Sequence, residues 1–147
     1  MTAETILVPT DFSEFSEAAL ECATSLARDT GAELLIVHVQ EPPYYYDNAF
    51  GGFAVEPNDK AIFNLLEEVK PANSDVRYSH KVLAGDNAAE IVRLAEAENV
   101  DMIVMGTHGR RGLSRVLMGS VAEGVVRRAP CPVLTIKQTS KVKAKAS

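Results

Sequence analysis

The stretch TILVPTDFSEFSEAALECATSLARDTGAELLIVHV, residues 5–39, decides the fold. It opens with a short apolar run that ends at a proline and closes with a run rich in branched residues, and both patterns are typical of buried strands. Between them, apolar or small residues recur at helical spacing, namely Phe15, Ala19, Cys22, Ala23 and Leu26. Asp11 or Ser13 can cap this helix and Gly31 can end it. A strand, a helix and a strand in this order predict parallel pairing through a right-handed crossover.

The rest of the chain repeats this alternation after a proline-, glycine- and tyrosine-rich segment at 40–57, which we interpret as a surface loop. The later elements are a helix at 59–70, a strand at 76–83, a helix at 85–100, a strand at 101–105, a helix at 120–129 and a strand at 131–136. The first of these helices is expected to bury one side, formed by Ile62, Leu65, Leu66 and Val69. The order predicts a single α/β domain with an open, parallel five-stranded sheet and helices on both faces, a Rossmann-like architecture.

Composition limits the classes of function. A chain of 147 residues that is 46% hydrophobic suits one compact domain, placed at 1–137, with a basic tail at 138–147 expected to be disordered. No apolar run is long enough for a membrane span and no secretory signal pattern is evident, so a cytoplasmic location is expected. Cys22 and Cys131 are isolated in the sequence and are expected to be reduced packing residues.

The charge of the chain argues against nucleic-acid binding. Taking the three tail lysines away from a net charge of −5 leaves −8 on the rest of the chain. Phosphate backbones require clustered cations, which an acidic body does not offer.

The stretch GTHGRRGLSRVLMGS, residues 106–120, is the candidate site. It follows the fourth strand, and ligands of parallel sheets bind where the chain direction switches at the carboxyl edge, so it should meet PTDFS, residues 9–13, after the first strand. It matches neither the dinucleotide fingerprint nor the Walker loop, but Gly106, Gly109, Gly119 and Ser120 form G-x-x-G-x9-G-[ST]. Glycines permit close backbone approach, and the start of the last helix favours an anion.

The spacing alone leaves a second interpretation open. Ser120 and Glu123 form S-x-x-E, a capping box that satisfies a helix end without any ligand. Gly106 and Gly109 could likewise form only a turn.

Three segments together resemble the universal stress protein family. They are ILVPTDFSE near the start, GTHGRRGLSRVLMGSVAE near the end and PCPVL at the last strand. The resemblance covers residues 5–136 and is to the subgroup that carries the glycine motif and binds ATP. The family's sheet of five parallel strands, of the adenine nucleotide-binding type, agrees with the order of elements above.

The resemblance implies roles for individual residues. Asp11 would contact the ribose or adenine, with Pro9 and Thr10 shaping the pocket, and Val39 would meet the adenine edge through its backbone. The remaining site residues are implied to surround the ribose and phosphates; they are Met105, Gly106, His108, Gly109, Arg110, Gly119, Ser120 and Val121. A Mg²⁺ or Mn²⁺ ion would accompany ATP, held by phosphates and water. Asp11 could instead only cap the first helix, and His108 could be an ordinary turn residue.

Three functions fit these features. The first is a nucleotide-binding regulatory or sensor protein whose state is read by an unidentified protein partner or through a dimer. The second is a slow ATPase or phosphotransferase, which ranks lower because the sequence offers no Walker lysine and few acidic residues near the loops. The third is an interaction module that uses no nucleotide. The family resemblance also implies a homodimer through the last strand, Val133 to Ile136.

Overall fold

The computed structural model describes residues 3–41, 59–108 and 118–137. Its strands are β1 (Thr5–Pro9), β2 (Glu33–Gln40), β3 (Tyr78–Ala84), β4 (Met102–Gly106) and β5 (Val133–Ile136). Its helices are α1 (Glu14–Thr30), α2 (Asp59–Glu67), α3 (Asn87–Ala97) and α4 (Ser120–Arg128). The strands pair in parallel in the order β3-β2-β1-β4-β5, which confirms the predicted five-stranded sheet. The segment 42–58 and the tail 138–147 lie outside the described residues.

Two apolar layers cover the two faces of the sheet. Residues of β1 and β2 alternate between them, so Ile6 and Ile36 pack beneath α1 and α2, while Leu7 and Val37 pack beneath α3 and α4. This alternation explains why the central strands read as continuous apolar runs. In α2, Leu66 is fully buried but Leu65 is 51% exposed, so the expectation that both face the core is wrong for Leu65.

Local hydrogen bonds set the helix ends. Ser13, not Asp11, is the N-cap of α1, because its side chain accepts from Ser16 N at 3.3 Å. Gly31 ends the helix with φ of 79°, as predicted, in the left-handed conformation that glycine tolerates. Asp86 caps α3 by accepting from Ala89 N at 3.0 Å.

Several boundaries are shorter than predicted. The helix expected at 59–70 ends at Glu67, the helix expected at 85–100 covers only Asn87–Ala97, and the last strand starts at Val133 instead of at 131. Pro132 has no N–H and precedes the strand, which accounts for the last difference.

Both cysteines are free, as expected. Burial, together with the negative charge of Asp101, raises the pKa of the Cys131 thiol, so this residue stays protonated and is a poor nucleophile. Of the helices described, none combines the length and apolarity that crossing a bilayer requires.

Candidate functional site

The sheet order places a topological switch point between β1 and β4, and we call the space beyond the carboxyl ends of these two strands the crevice. The chain leaves β1 through α1 to β2 and β3 on one side, and it returns to β4 on the other side of β1. The carboxyl ends of β1 and β4 therefore form the topological switch point, where open parallel sheets bind ligands. The loop at 10–13 and residues 107–108 of the glycine-rich stretch follow these two strands and so lie at the same edge of the sheet, as predicted for the described part of the stretch.

Pro9 ends the pairing of β1 with β4. On the β2 side the ladder continues to Pro9↔Val37, and Thr10 N donates to Val37 O at 2.8 Å. On the β4 side it ends at Leu7↔Ile103. Backbone groups alternate along a strand, so the next donor toward β4 would be the nitrogen of Pro9, which carries no hydrogen. The proline thus frees the end of β1 from β4 on the side of the crevice.

The loop from β1 to α1 is held by its own side chains. Thr10 is 7% exposed, and its hydroxyl accepts from Phe12 N and donates to Ser16 Oγ, both at 3.1 Å. Asp11 Oδ1 accepts from Ser13 N at 3.0 Å, which fixes a tight turn. Asp11 is therefore part of the loop that enters α1, but it is not the cap of that helix.

Val39 directs its backbone toward the β1 side of β2. Leu34 N donates to Arg77 O and Gln40 O accepts from Gly85 N, each at 2.9 Å. The backbone N–H and C=O groups at even positions of β2 therefore point toward β3. The backbone groups at odd positions point toward β1, as the carbonyl of Val37 does. The bond from Thr10 N to Val37 O is the last one between the two strands. Val39 is the next residue whose backbone points toward β1, so its N–H and C=O border the space beyond the end of β1. The side chain of Val39 is buried at 5% exposure.

Packing against α1 favours a glycine at 106. A β-carbon added there would lie 3.0 Å from Phe15 O, in the first turn of α1. The sequence predicted that this glycine serves close approach of a ligand, whereas the neighbour that the structure shows is protein backbone. Gly106 thus brings α1 against the end of β4, beside the crevice.

The two ends of the glycine-rich stretch meet at Thr107. Its N–H donates to Ile136 O at 3.0 Å, and its carbonyl accepts from Gly119 N at 2.7 Å. A β-carbon at Gly119 would lie 3.0 Å from the same carbonyl oxygen. Gly109 and Arg110, the other predicted members of this stretch, lie outside the described residues.

The N-cap of helix α4 lies one residue earlier than the sequence suggested. Gly119 is the N-cap, without a side-chain cap bond, and Ser120 is the first helical residue. The capping-box interpretation of Ser120 and Glu123 is therefore wrong, because the cap position belongs to the preceding glycine. Glu123 Oε1 instead accepts from Arg127 at 2.7 Å.

Three backbone N–H groups at the start of α4 precede the first hydrogen bond within the helix. The first bond within the helix is from Glu123 N to Gly119 O at 2.9 Å, so the N–H groups of Ser120, Val121 and Ala122 precede it. The N–H of Gly119 is engaged by Thr107, which corrects the expectation that it faces a phosphate. Donors at the positive end of a helix dipole favour an anion.

Met105 and His108 differ in their surroundings. Met105 is 5% exposed and packs in the layer beneath α3 and α4, to which Val121 also adds contacts. The His108 ring is half-buried and meets the edge of Phe15 with ring centroids 6.0 Å apart. Within the described residues, no group of three His, Cys, Asp or Glu side chains is placed to hold a metal ion.

Three residues beside the crevice were not predicted from the sequence as part of the site. Phe12 lies in the loop before α1, Phe15 lies in the first turn of α1, and His38 lies in the apolar strand β2. Phe12 contacts His38 with ring centroids 4.6 Å apart, and Phe15 contacts His108. A polar ring near the carboxyl end of a buried strand was the available signal for His38.

Comparisons with known proteins agree with this architecture. The model of the universal stress protein family matches residues 2–137. Universal stress protein MJ0531 of Methanocaldococcus jannaschii is 37% identical over 146 residues, covering 92% of this chain and 83% of the relative.

Solved structures show the same similarity. The structure of protein MJ0577, also from M. jannaschii, has a TM-score of 0.73 at 30% identity, covering 95% of this chain and 99% of the other. The universal stress protein from Archaeoglobus fulgidus in complex with dAMP has a TM-score of 0.65 at 27% identity, covering 93% of this chain and 100% of the other.

Proposed function

This chain belongs to the universal stress protein family, and on that premise we propose that it binds an adenine nucleotide, ATP foremost, as a regulatory or sensor protein of the stress response. The observation that carries the proposal is the break in pairing at the end of β1, beside the start of α4. Pro9 separates β1 from β4 there, and α4 begins beside β4 without a side-chain cap. The A. fulgidus relative in complex with dAMP supports an adenine nucleotide as the ligand class.

The nucleotide would lie across the crevice from β2 to α4. The backbone of Val39 would meet the adenine edge, and Asp11, with Pro9 and Thr10, would border the ribose. The N–H groups at the start of α4 and the hydroxyl of Ser120 would hold the phosphates, supported by the helix dipole. Gly106, His108, Gly109 and Arg110 would line the ribose and phosphate side. A divalent cation would be held mainly by the phosphates and water.

Regulation ranks above catalysis for a specific reason. Phosphoryl transfer needs a positioned nucleophile and cations on the terminal phosphate. The contact that the structure gives for the His108 ring is with Phe15, and a phenyl ring orients an imidazole without accepting a proton from it. A protein partner or a homodimer through β5 would then read the nucleotide state.

Calorimetry tests the proposal. Titration of the full chain with ATP, ADP and AMP is expected to give saturable binding at one site per chain, with GTP much weaker because backbone groups read the adenine edge. Phosphate release measured over the same period should stay near the uncatalysed rate. The absence of binding heat for all three adenine nucleotides would overturn the proposal, and turnover lost in His108→Ala would favour an enzyme.

A further inference from the structure

Phe12 has an unusual backbone conformation. Its φ is 67°, in the left-handed region that bulky residues adopt rarely and with strain. Such a conformation persists only where the surroundings enforce it, and strained residues cluster at functional sites. Phe12 follows Asp11 directly, in the loop that borders the crevice.

His38 holds this loop on both sides of Asp11. Its Nδ1 lies 2.8 Å from Thr10 O, and its ring lies 4.6 Å from the ring of Phe12 at an interplanar angle of 34°. A carbonyl oxygen only accepts hydrogen bonds, so Nδ1 must carry the proton and donate. The His38 side chain thus holds the carbonyl of Thr10, before Asp11, and the ring of Phe12, after it.

The position of His38 in the sheet explains why it reaches both partners. Val37 is in register with Pro9, so His38 lies opposite Thr10, the first residue after β1. Side chains alternate along β2, which places His38 on the same face as Ile36, toward α1. The next residue is Val39, whose backbone borders the crevice.

We infer that His38 is a positioning residue for nucleotide binding: it donates to the Thr10 carbonyl and stacks on Phe12, which presets Asp11 at the crevice before the nucleotide arrives. The inference rests on the proposed function. It adds a residue that would act through the loop and would not contact the nucleotide.

His80 offers a matched control within the same chain. Its Nε2 lies 2.7 Å from the carbonyl of Val69, and its ring meets Tyr78 with centroids 5.3 Å apart. It lies in the edge strand β3, in register with Ile36, and so is farther from the carboxyl edge of the sheet. The substitution His80→Phe removes the same kind of bond as His38→Phe but leaves the crevice unchanged.

Calorimetry with ATP tests the role of the hydrogen bond. His38→Phe keeps a ring against Phe12 but removes the donor, and we expect affinity about fivefold weaker, the equivalent of one neutral hydrogen bond. His38→Asn, whose amide nitrogen can take the place of Nδ1, should recover part of this loss. His80→Phe should bind ATP as the wild type does.

Amide hydrogen exchange without nucleotide tests the loop itself. The N–H groups of Phe12 and Ser13, which bond to Thr10 Oγ1 and Asp11 Oδ1, should exchange faster in His38→Phe and at the wild-type rate in His80→Phe. Wild-type affinity in His38→Phe, an equal loss in His80→Phe, or a loss without faster exchange would each overturn the inference alone. Failure of the wild type to bind any adenine nucleotide would overturn the proposed function and this inference with it.

Discussion

Asp101, just before β4, ties the start of β1 to its neighbour in the sheet. Its Oδ2 accepts from Glu4 N at 2.8 Å and from Thr5 N at 2.9 Å. These bonds to Thr5 and Glu4 favour the ionised carboxylate and lower the pKa of Asp101. Because the folded-state pKa lies below the unfolded one, the stabilisation is complete above the ordinary aspartate value of about 3.9 and is lost as pH falls through the lowered pKa.

Replacing Asp101 should therefore destabilise the protein in a pH-dependent way. We expect Asp101→Ala to lower the free energy of unfolding by about 1–2 kcal/mol at neutral pH, since charge-assisted bonds are lost but solvent screens part of their strength. The difference from the wild type should shrink in acid below about pH 4. Urea unfolding at pH 7 and at pH 3 measures it.

Asp75 provides the comparison for that experiment. It is an exposed aspartate in the turn before β3, and Asp75→Ala should change stability far less than Asp101→Ala does. An Asp101→Ala difference that stays constant from pH 7 to pH 3 would contradict the role given to the carboxylate.

Gly106 shows what the sequence could and could not supply at single residues. The motif marks a position where a side chain would crowd protein backbone. It could not identify the neighbour, since Phe15 lies far away along the chain and approaches only when α1 packs on the sheet. Pro9 is similar, because a proline at the end of a strand is visible in the sequence. Whether it ends the pairing of β1 with β2 or with β4 depends on the register, which the sequence does not show.

At the level of elements, α4 gives the sharpest test of phosphate binding. Ser120 is the first residue of the helix, a position where proline is favoured because its missing N–H has no partner within the helix. Gly119 already has φ −63° and ψ 157°, the extended conformation that a following proline requires. Ser120→Pro should therefore fold normally while losing one N–H and one hydroxyl, and its ATP affinity should fall by about tenfold or more.

Ser120→Ala separates the two lost groups. It removes the hydroxyl and keeps the N–H, so its affinity should lie between those of the wild type and Ser120→Pro. Thermal unfolding without nucleotide should show that both variants remain as stable as the wild type, to within about 1 kcal/mol. Wild-type affinity in a folded Ser120→Pro would show that phosphates bind elsewhere. The bulkier Gly119→Val is a poorer choice, because it would also crowd the carbonyl of Thr107.

The order and type of the elements were predictable, because each rests on local periodicity and on turn residues. The cap at Ser13 follows from the same short-range chemistry, although the sequence left Asp11 as an alternative. The start of α4 at Ser120 was predicted, but its cap was not. S-x-x-E suits a cap at Ser120, but the bond from Gly119 N to Thr107 O places the cap one residue earlier. Leu65 fits the apolar spacing of α2 yet lies outside the core, because so short a helix buries few residues.

At the scale of the whole molecule, the two edge strands of the sheet differ. β3 carries Lys81, whose Nζ lies 2.6 Å from Glu98 Oε1, and a charged residue discourages pairing with another edge. β5 is the opposite edge and reads VLTI, with Leu134 38% exposed. Of the two edges, β5 is the one suited to pair with its copy, in agreement with the homodimer proposed above.

A charge on β5 should therefore separate the subunits. Leu134→Lys places an ammonium group on the edge strand, where pairing of two copies would bring like charges together, and we expect the molar mass from light scattering to fall from a dimer to a monomer. Leu65→Lys is the matched control: Leu65 is also an exposed leucine, at 51%, but it lies on α2 beside the other half of the sheet. That variant should keep the wild-type mass. An unchanged dimer in Leu134→Lys would place the interface elsewhere, and a monomeric wild type would remove the dimer from the proposal while leaving nucleotide binding untouched.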